Sequence, residues 1–190
     1  SRIYIFATTE DLPGDFMFDF SESRVYDCFK EHQERFGGLQ FNSVLDILED
    51  SVDPKYFLSA KVKPTILSDG TAGYKSKSEI NQVIARTLTA TMHKMHRACQ
   101  DNYYSQDFIA SDGKNNPALT LTKEQLADID IRKITPEEAF MLQGFPKEFV
   151  LQARAAGVSD GALYTQAGNA VSVNVVYAIV QYLIECKAIR

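Results

Sequence analysis

Residues 134–146 read "ITPEEAFMLQGFP", a stretch in which both ends of a helix are marked. Thr135 is a favoured N-cap, Pro136 suits the first helical position, and Glu138 completes a capping box with the threonine. Gly144 then ends the helix, because glycine tolerates the backbone conformation found just beyond a helix C-terminus. The two neighbouring glutamates fall in the first turn, where carboxylates favour the helix dipole, so we interpret them as capping residues rather than an acid–base pair.

A second distinctive stretch, residues 166–184, reads "QAGNAVSVNVVYAIVQYLI". Its apolar residues recur at three- and four-residue spacing and predict a helix with one apolar face. That face comprises Val175, Val176, Ile179, Val180, Leu183 and Ile184. Such a face must be buried, either in the core of this chain or against another surface. Gly168 and Asn169 precede the apolar run, and we expect them either to cap the start of the helix or to bind a polar ligand there.

Composition indicates a globular protein with one sizeable core, or one domain plus a lobe, because 45% of the 190 residues are hydrophobic. No uninterrupted apolar run approaches the roughly 20 residues needed to cross a bilayer. The three cysteines are widely spaced, which is more typical of a reducing compartment than of a disulfide framework. We therefore expect a cytoplasmic protein without a membrane partner.

The charge is unevenly distributed along the chain. The net charge is -5, yet residues 61–97 contain seven basic and two acidic residues and carry +5. A basic segment within an acidic protein is typical of a nucleic-acid-binding face, and a solvated lysine-rich loop is the alternative.

The coarse secondary structure is mixed. Alternating large apolar residues predict a strand over Arg2–Thr9. Residues 64–110 are rich in Thr, Ser, Gly and Tyr, and indicate a small, irregular, β-containing region. Further short helices are predicted within residues 122–129 and 147–157.

The two stretches quoted above, read together, resemble the ninth and tenth motif blocks of the cytosine-C5 DNA methyltransferases. The matching positions are Arg132, Lys133, Pro136, Glu138, Gly144, Phe145, Pro146, Gln166, Gly168, Asn169 and Val171. "RIYIFATT" at residues 2–9 resembles the end of the eighth block, of whose two arginines only the second, Arg2, is present. Residues 43–59 resemble the stretch that leads to the family's variable DNA-reading region, and "RTLTA" at residues 86–90 resembles the Thr-Leu step near its end.

This resemblance implies an α+β fold made of parts of two domains. Residues 1–20 would end the sheet of a Rossmann-like catalytic domain that is otherwise absent from the sequence. Residues 21–150 would form a small, irregular, β-containing target-recognition domain that includes the ninth block. Residues 151–190 would carry the C-terminal helix back to the catalytic domain.

The family's catalytic blocks do not occur in these 190 residues. The chain has no Phe-x-Gly-x-Gly loop for S-adenosylmethionine, no Pro-Cys nucleophile and no Glu-Asn-Val block. The resemblance thus implies the C-terminal, DNA-recognition portion of a restriction–modification DNA (cytosine-5-)-methyltransferase, inactive alone. Its partners would be double-stranded DNA and an N-terminal catalytic domain or subunit, without which the apolar helix would promote self-association. The alternative is a non-catalytic DNA-binding or regulatory module derived from such an enzyme.

Site residues follow from the resemblance and from the charge pattern. The resemblance implies that Asn169 and Ala170 lie near the cofactor, S-adenosylmethionine, and that Arg2 contacts the target cytosine. Within the basic segment we predict DNA contacts from Arg86, Thr87, Lys94 and Arg97, because Arg and Lys hydrogen-bond guanine edges and phosphates. Tyr103 and Tyr104 would contact sugars or bases, or else pack in the core.

A metal site is the rival interpretation of the same segment, since His93, His96 and Cys99 have metal-ligand side chains. Zinc needs four protein ligands, or three and a water, and no fourth Cys or His lies nearby in the sequence. We therefore predict no metal site and favour a DNA-facing strand or loop.

Overall fold

The computed structural model describes residues 3–9, 11–12, 14, 20–70, 73, 75–94 and 97–189. The described part combines helices with one small sheet, a mixed α and β fold. The chain divides into two compact units, Leu39–Ser172 and Ser1–Gly38 with Val173–Arg190. The predicted domain boundaries at residues 20 and 150 stay a prediction.

The helices are α1 (Glu22–Glu31), α2 (Lys63–Leu67), α3 (Gln106–Ala110), α4 (Lys123–Leu126), α5 (Pro136–Leu142), α6 (Lys147–Ala155), α7 (Asp160–Asn169) and α8 (Val173–Glu185). Single 3₁₀ turns occur at Gln33–Arg35, Val44–Asp46, Pro54–Tyr56 and Pro117–Leu119. The strands are β1 (Tyr103–Ser105) and β2 (Ile131–Lys133).

The sheet of the larger unit is an antiparallel pair in which Tyr104 of β1 lies opposite Arg132 of β2. The described residues between Ser68 and Asn102 form no helix or strand, and side-chain hydrogen bonds hold their backbone. The Asp69 carboxylate accepts from Ser78 N at 2.8 Å, and the Asn102 amide oxygen accepts from Arg86 N at 2.7 Å. Short polar side chains thus replace the ladder that strands would provide.

The core of the larger unit gathers residues from distant parts of the sequence. One cluster includes Val44, Tyr56, Leu88, Met92, Tyr104, Phe108, Phe140, Val150, Leu163 and Tyr164. A second cluster includes Ile66, Leu67, Ile80, Ala98, Tyr103, Leu126 and Ile131. Tyr103 and Tyr104 are each 1% exposed, which confirms core packing for both rings.

Helix α5 confirms the predicted helix ends. Thr135 Oγ1 accepts from Glu138 N at 3.2 Å, and Glu138 Oε2 accepts from Thr135 N at 2.7 Å. The helix stops at Leu142, and Gly144 follows with φ of +87°. A positive φ costs glycine little free energy, so Gly144 in the sequence accounts for the end of α5.

The smaller unit is built on α1 and α8, which pack together. Phe29 and Phe36 contact Tyr177 with ring centroids 6.2 Å and 4.6 Å apart. His32 Nε2 lies 3.4 Å from Glu185 Oε1. This packing buries Tyr182 and Leu183 of α8, yet several residues of its predicted apolar face stay exposed: Val175, Val176, Val180 and Ile184 are 38–48% exposed.

The predicted strand at Arg2–Thr9 is wrong for its described part. Residues 3–9 form no strand, and Ile3 and Ile5 are each 88% exposed. A strand is stable only when its backbone groups pair with a neighbouring strand, and the alternating sequence pattern does not supply that neighbour. Arg2 lies outside the described residues.

The place of Gly168 and Asn169 also differs from the prediction. They lie in the last turn of α7, and α8 begins only at Val173. The sequence showed the apolar period of α8 clearly, whereas α7 mixes polar and small residues and has no such period. The two residues therefore do not cap the start of the apolar helix.

Residues Asp160–Glu185 are together long and apolar enough to cross a membrane, judged by length and composition only. This is weak evidence, because the segment is broken at residues 170–172 into helices of 10 and 13 residues. Neither helix alone reaches the roughly 20 residues that a bilayer requires.

Candidate functional site

The candidate site lies in the larger unit, where α7 packs against residues 86–94, which we name the threonine loop. Three small residues on one face of α7 meet this loop: Gly161, Thr165 and Gly168. They follow one another at four- and three-residue spacing, which places them on one side of a helix. Small side chains along this face let the loop backbone approach the helix closely.

Gly168 makes the closest of these approaches. A Cβ atom at this position would lie 2.2 Å from the Thr89 carbonyl carbon, 2.3 Å from Ala90 N and 2.4 Å from the Thr89 oxygen. Real Cβ atoms essentially never come within 3.0 Å of another heavy atom, and here all three neighbours are backbone. Only glycine fits at residue 168 with the threonine loop in this position.

Two further contacts fix the loop along α7. The Thr165 hydroxyl lies 3.3 Å from the Ala90 carbonyl oxygen and 2.9 Å from that of Gly161 within the helix. The His93 ring stacks on Tyr164 of α7, with centroids 6.2 Å apart and planes 6° from parallel. The Tyr164 hydroxyl in turn donates to the Ile134 carbonyl at 2.6 Å. The loop is thus tied to the segment that follows β2.

The threonine loop alternates between the core and the surface. Leu88 and Met92 are buried in the first core cluster. The polar residues Thr87, Thr89, Thr91 and Lys94 are exposed. The loop therefore presents three hydroxyl groups and one ammonium group outward while its apolar side chains hold it in place.

Arg86 at the start of the loop is held by the protein. Its Nη1 donates to the Cys99 carbonyl at 3.2 Å, and its Nη2 lies 3.3 Å from Glu79 Oε2. Its backbone exchanges hydrogen bonds with the Asn102 side chain at 2.7 Å and 3.1 Å. These contacts show that Arg86 stabilises the fold, a role that the sequence alone does not reveal. A DNA contact from Arg86 stays a prediction.

Fewer basic side chains of residues 61–97 are free to bind DNA than the net charge of this segment suggests. Lys63 is buried and donates to the Ile129 carbonyl, while Lys77 pairs with Glu79 at 2.6 Å. Lys94 and Arg97 are exposed, and within the described residues neither side chain forms an ion pair. Of the predicted DNA contacts, the structure thus leaves Thr87, Lys94 and Arg97 open at the surface.

A small cleft runs beside the loop. It is lined by Thr87, Leu88, Met92, Asp101, Asn102, Tyr103, Lys133, Ile134 and Tyr164. Lys133 Nζ lies 5.2 Å from the ring centroid of Tyr164 and 5.9 Å from that of Tyr56, and burial lowers the pKa of this lysine. Asp101 is buried, which raises the pKa of its carboxyl to about 6.

Asn169 and Ala170 follow directly after the close contact at Gly168. Asn169 is exposed, and its side-chain amide bonds to none of the described residues. Ala170 N donates to the Gln166 carbonyl at 2.8 Å and closes the helix. An unpaired amide at this place can both donate and accept a hydrogen bond, which fits a polar ligand.

No group of three His, Cys, Asp or Glu side chains in the described ranges is arranged to hold a metal ion. His93 packs on Tyr164, and Cys99 accepts from Arg86 through its carbonyl. His96 lies outside the described residues.

The match to known families covers nearly the whole chain. Residues 1–185 match the family model of the C-5 cytosine-specific DNA methylases. The chain belongs to this family. The matched range includes both sequence stretches that resemble motif blocks of this family, residues 132–146 and 166–171.

Curated relatives of this C-5 cytosine methylase chain include bacterial type II methyltransferases. It is 31% identical over 140 residues to the type II methyltransferase M1.ScrFI of Lactococcus lactis subsp. cremoris, covering 74% of the chain and 31% of that protein. It is 30% identical over 139 residues to M.SsoII of Shigella sonnei, covering 73% of the chain and 31% of that protein. The chain spans about a third of the length of these curated relatives.

The fold of the chain agrees with that of a solved methyltransferase. The crystal structure of the S. pombe Dnmt2 methyltransferase matches 90% of this chain and 49% of its own, with a TM-score of 0.60 and 18% identity. At that identity the likeness concerns the fold alone.

Proposed function

We propose that this chain is the C-terminal, DNA-recognising portion of a DNA (cytosine-5-)-methyltransferase of the restriction–modification type, acting in the bacterial cytoplasm. The observation that carries the proposal is the contact of Gly168 with Thr89 and Ala90. It joins the end of the last family motif to a loop that displays hydroxyl and ammonium groups. The family match over residues 1–185 supports the same assignment.

Double-stranded DNA is the proposed partner of the threonine loop and its surroundings. Thr and Lys side chains bind phosphates and base edges, and Arg97 adds a guanidinium to the same segment. These groups lie in the larger unit, Leu39–Ser172, and within residues 21–150, which would form the target-recognition domain.

The cofactor of the whole enzyme would be S-adenosylmethionine. Asn169 and Ala170 would hold one side of it, since the exposed Asn169 amide can hydrogen-bond polar groups of such a ligand. When bound, the cofactor supplies the methyl group that is transferred to C5 of cytosine. Most of its pocket would be built by residues outside this chain.

Methyl transfer would not occur on this chain alone. The reaction needs a thiolate that attacks C6 of a flipped cytosine, which makes C5 nucleophilic. Cys28, Cys99 and Cys186 follow Asp, Ala and Glu, so none stands in the family's Pro-Cys step. Arg2 would approach the target cytosine in the complete enzyme.

An N-terminal catalytic domain or subunit is therefore the proposed protein partner. The exposed valines of α8 offer it an apolar surface, because Val175, Val176 and Val180 are each 38–44% exposed. Without that partner the same surface would favour association with a second copy.

The alternative is a non-catalytic DNA-binding or regulatory module of the same descent. The two proposals differ in the coding sequence upstream of Ser1. In-frame or adjacent Phe-x-Gly-x-Gly, Pro-Cys and Glu-Asn-Val blocks support the methyltransferase proposal, and a start codon without such a neighbour contradicts it.

A methyl-transfer assay tests the enzyme proposal. The chain is incubated with duplex DNA and radiolabelled S-adenosylmethionine, first alone and then with a polypeptide that carries the three upstream blocks. We expect incorporation only in the mixture. Incorporation by the chain alone would refute the assignment of the nucleophile to another segment, and none in the mixture would favour the alternative.

A further inference from the structure

We propose that Gly168 is a positioning residue that sets the threonine loop for DNA binding, with Thr165 as its helper. This inference rests on the proposed DNA-recognition function. It assigns to the glycine a task at the recognition loop, distinct from the polar-ligand contact expected of its neighbour Asn169.

The first step of the argument is the geometry of the contact. The atoms nearest to a Cβ at residue 168 belong to the peptide bond between Thr89 and Ala90. A side chain could rotate away from an added methyl group, but a peptide bond moves only with the chain on either side of it. To restore ordinary contact from 2.2 Å, the loop or helix would have to shift by about 1 Å.

The second step is that the loop has little freedom to shift without altering its outer surface. Leu88 and Met92 anchor it in the core on both sides of the contact, and Arg86 N bonds to the Asn102 side chain. A displacement at Thr89 and Ala90 is therefore transmitted to the neighbouring exposed hydroxyls of Thr87 and Thr91. Groups that contact DNA must hold their positions to within a fraction of an ångström.

The third step separates Gly168 from a glycine chosen only for flexibility. Gly168 lies in the last turn of α7 and its φ is not positive, so its backbone conformation alone would accept any residue. Because this backbone does not need the conformational freedom of glycine, the absent side chain is explained by packing. That packing is the close approach of the threonine loop.

A matched pair of alanine substitutions tests the proposal in the full 190-residue chain. Gly168→Ala introduces the overlap with the Thr89–Ala90 peptide. Gly161→Ala makes the same change on the same face of α7, where the nearest His93 atoms would be at an ordinary 3.6 Å. Both are compared with wild type by amide hydrogen exchange of a peptide covering residues 86–94, and by fluorescence anisotropy with a mixed-sequence duplex of about 30 base pairs.

We expect Gly168→Ala to accelerate exchange in residues 86–94 and to weaken DNA binding several-fold. It should also reduce the slope of log Kd against log salt by about 1, since each lost phosphate contact contributes about 0.9. A uniform loss of stability would not change that slope. Gly161→Ala should match the wild type in exchange, affinity and slope.

The outcomes separate this proposal from the proposed function. If Gly168→Ala binds DNA with wild-type affinity and slope, the positioning role is wrong while DNA recognition stands. If the wild type itself binds no DNA, the proposed function fails and this inference fails with it. If circular dichroism shows that Gly168→Ala is unfolded, Thr165→Val decides, since it removes the hydroxyl and its contacts with the Ala90 and Gly161 carbonyls at nearly constant volume. Faster loop exchange and weaker binding support the role, and wild-type behaviour overturns it.

Discussion

Arg132 and Glu138 form an ion pair in which both side chains are fully buried. Two hydrogen bonds join them, Nη1 to Oε2 at 2.9 Å and Nη2 to Oε1 at 2.7 Å. Glu138 also accepts from the backbone N–H groups of Glu49 and Thr135, and Arg132 donates to the Glu49 carbonyl at 2.9 Å. One pair thus joins β2, the start of α5 and the chain near residue 49.

Glu138→Gln should destabilise the protein by about 3 kcal/mol, because it leaves the buried guanidinium without its counter-charge. The adjacent Glu137→Gln is the matched control. Glu137 pairs with Arg154 at 2.6 Å, where the arginine is 28% exposed, so we expect about 1 kcal/mol there. Urea unfolding followed by circular dichroism measures the free energy of unfolding of both variants. Equal decreases would contradict the claim that the buried pair contributes more to stability than the partly exposed one.

The sequence predicted half of what Glu138 does. Its spacing from Thr135 was sufficient to identify the capping box, because that motif is local. The pairing with Arg132 and the contact with Glu49 were not predictable in this way. They depend on β2 running beside β1 and on residue 49 being brought to the helix start, which no local pattern records.

Stability should depend on pH through Asp101. Burial raises the pKa of this carboxyl from 3.8 to about 6, so the folded protein binds a proton more tightly than the unfolded chain does. The stabilising effect of the neutral form is present below about pH 4 and is lost as the pH rises through 6.

Asp101→Asn should therefore stabilise the protein above pH 7 by about 2 kcal/mol, after allowance for residual solvent screening. An asparagine can still accept from Arg97 N, as Asp101 does at 3.2 Å. Free energies of unfolding of variant and wild type, measured between pH 4 and 8, should converge at the acid end. A constant difference across that range would show that Asp101 does not titrate as described.

Substitutions in the basic segment should separate into two kinds. Lys94→Ala and Arg97→Ala remove exposed charges and should each reduce the slope of log Kd against log salt by about 1, with no change in stability. Arg86→Ala should instead lower the unfolding temperature, because it removes the contacts with Glu79 and Cys99. Lys114→Ala, an exposed lysine outside the segment, is the control.

If Lys114→Ala changed the salt slope as much as Lys94→Ala, the DNA-facing surface would be wrongly placed.

The charge count of residues 61–97 does not distinguish basic residues that are free to bind DNA from those that have a structural role. Counting cannot show that Lys63 is buried or that Glu79 pairs with both Lys77 and Arg86.

The exposed side of the threonine loop could be predicted from the sequence only in part. The sequence analysis identifies its Thr-Leu step but does not predict that Thr89 and Thr91 are exposed beside Thr87, although every second residue from Thr87 to Thr91 is a threonine. That alternation was a usable signal for one exposed side. The contact with Gly168 was not, because residues 89 and 168 are far apart in the chain and α7 lacks an apolar period.

The exposed valines of α8 should promote self-association of the chain. Val180→Lys should shift sedimentation toward the monomer without unfolding, since Val180 is 41% exposed. Leu183→Lys is the contrasting change, because Leu183 is 4% exposed and the variant should lose the packing of α8 on α1. A wild-type chain that is monomeric at all concentrations would contradict this prediction.

The most direct test of the central claim is an anisotropy titration of the wild-type chain with mixed-sequence duplex DNA at about 50 mM and 200 mM salt. The account predicts measurable binding at the lower salt that weakens at least about tenfold at the higher, as expected for several phosphate contacts. Absence of binding at low salt, or an affinity independent of salt, would contradict the assignment of this chain to DNA recognition.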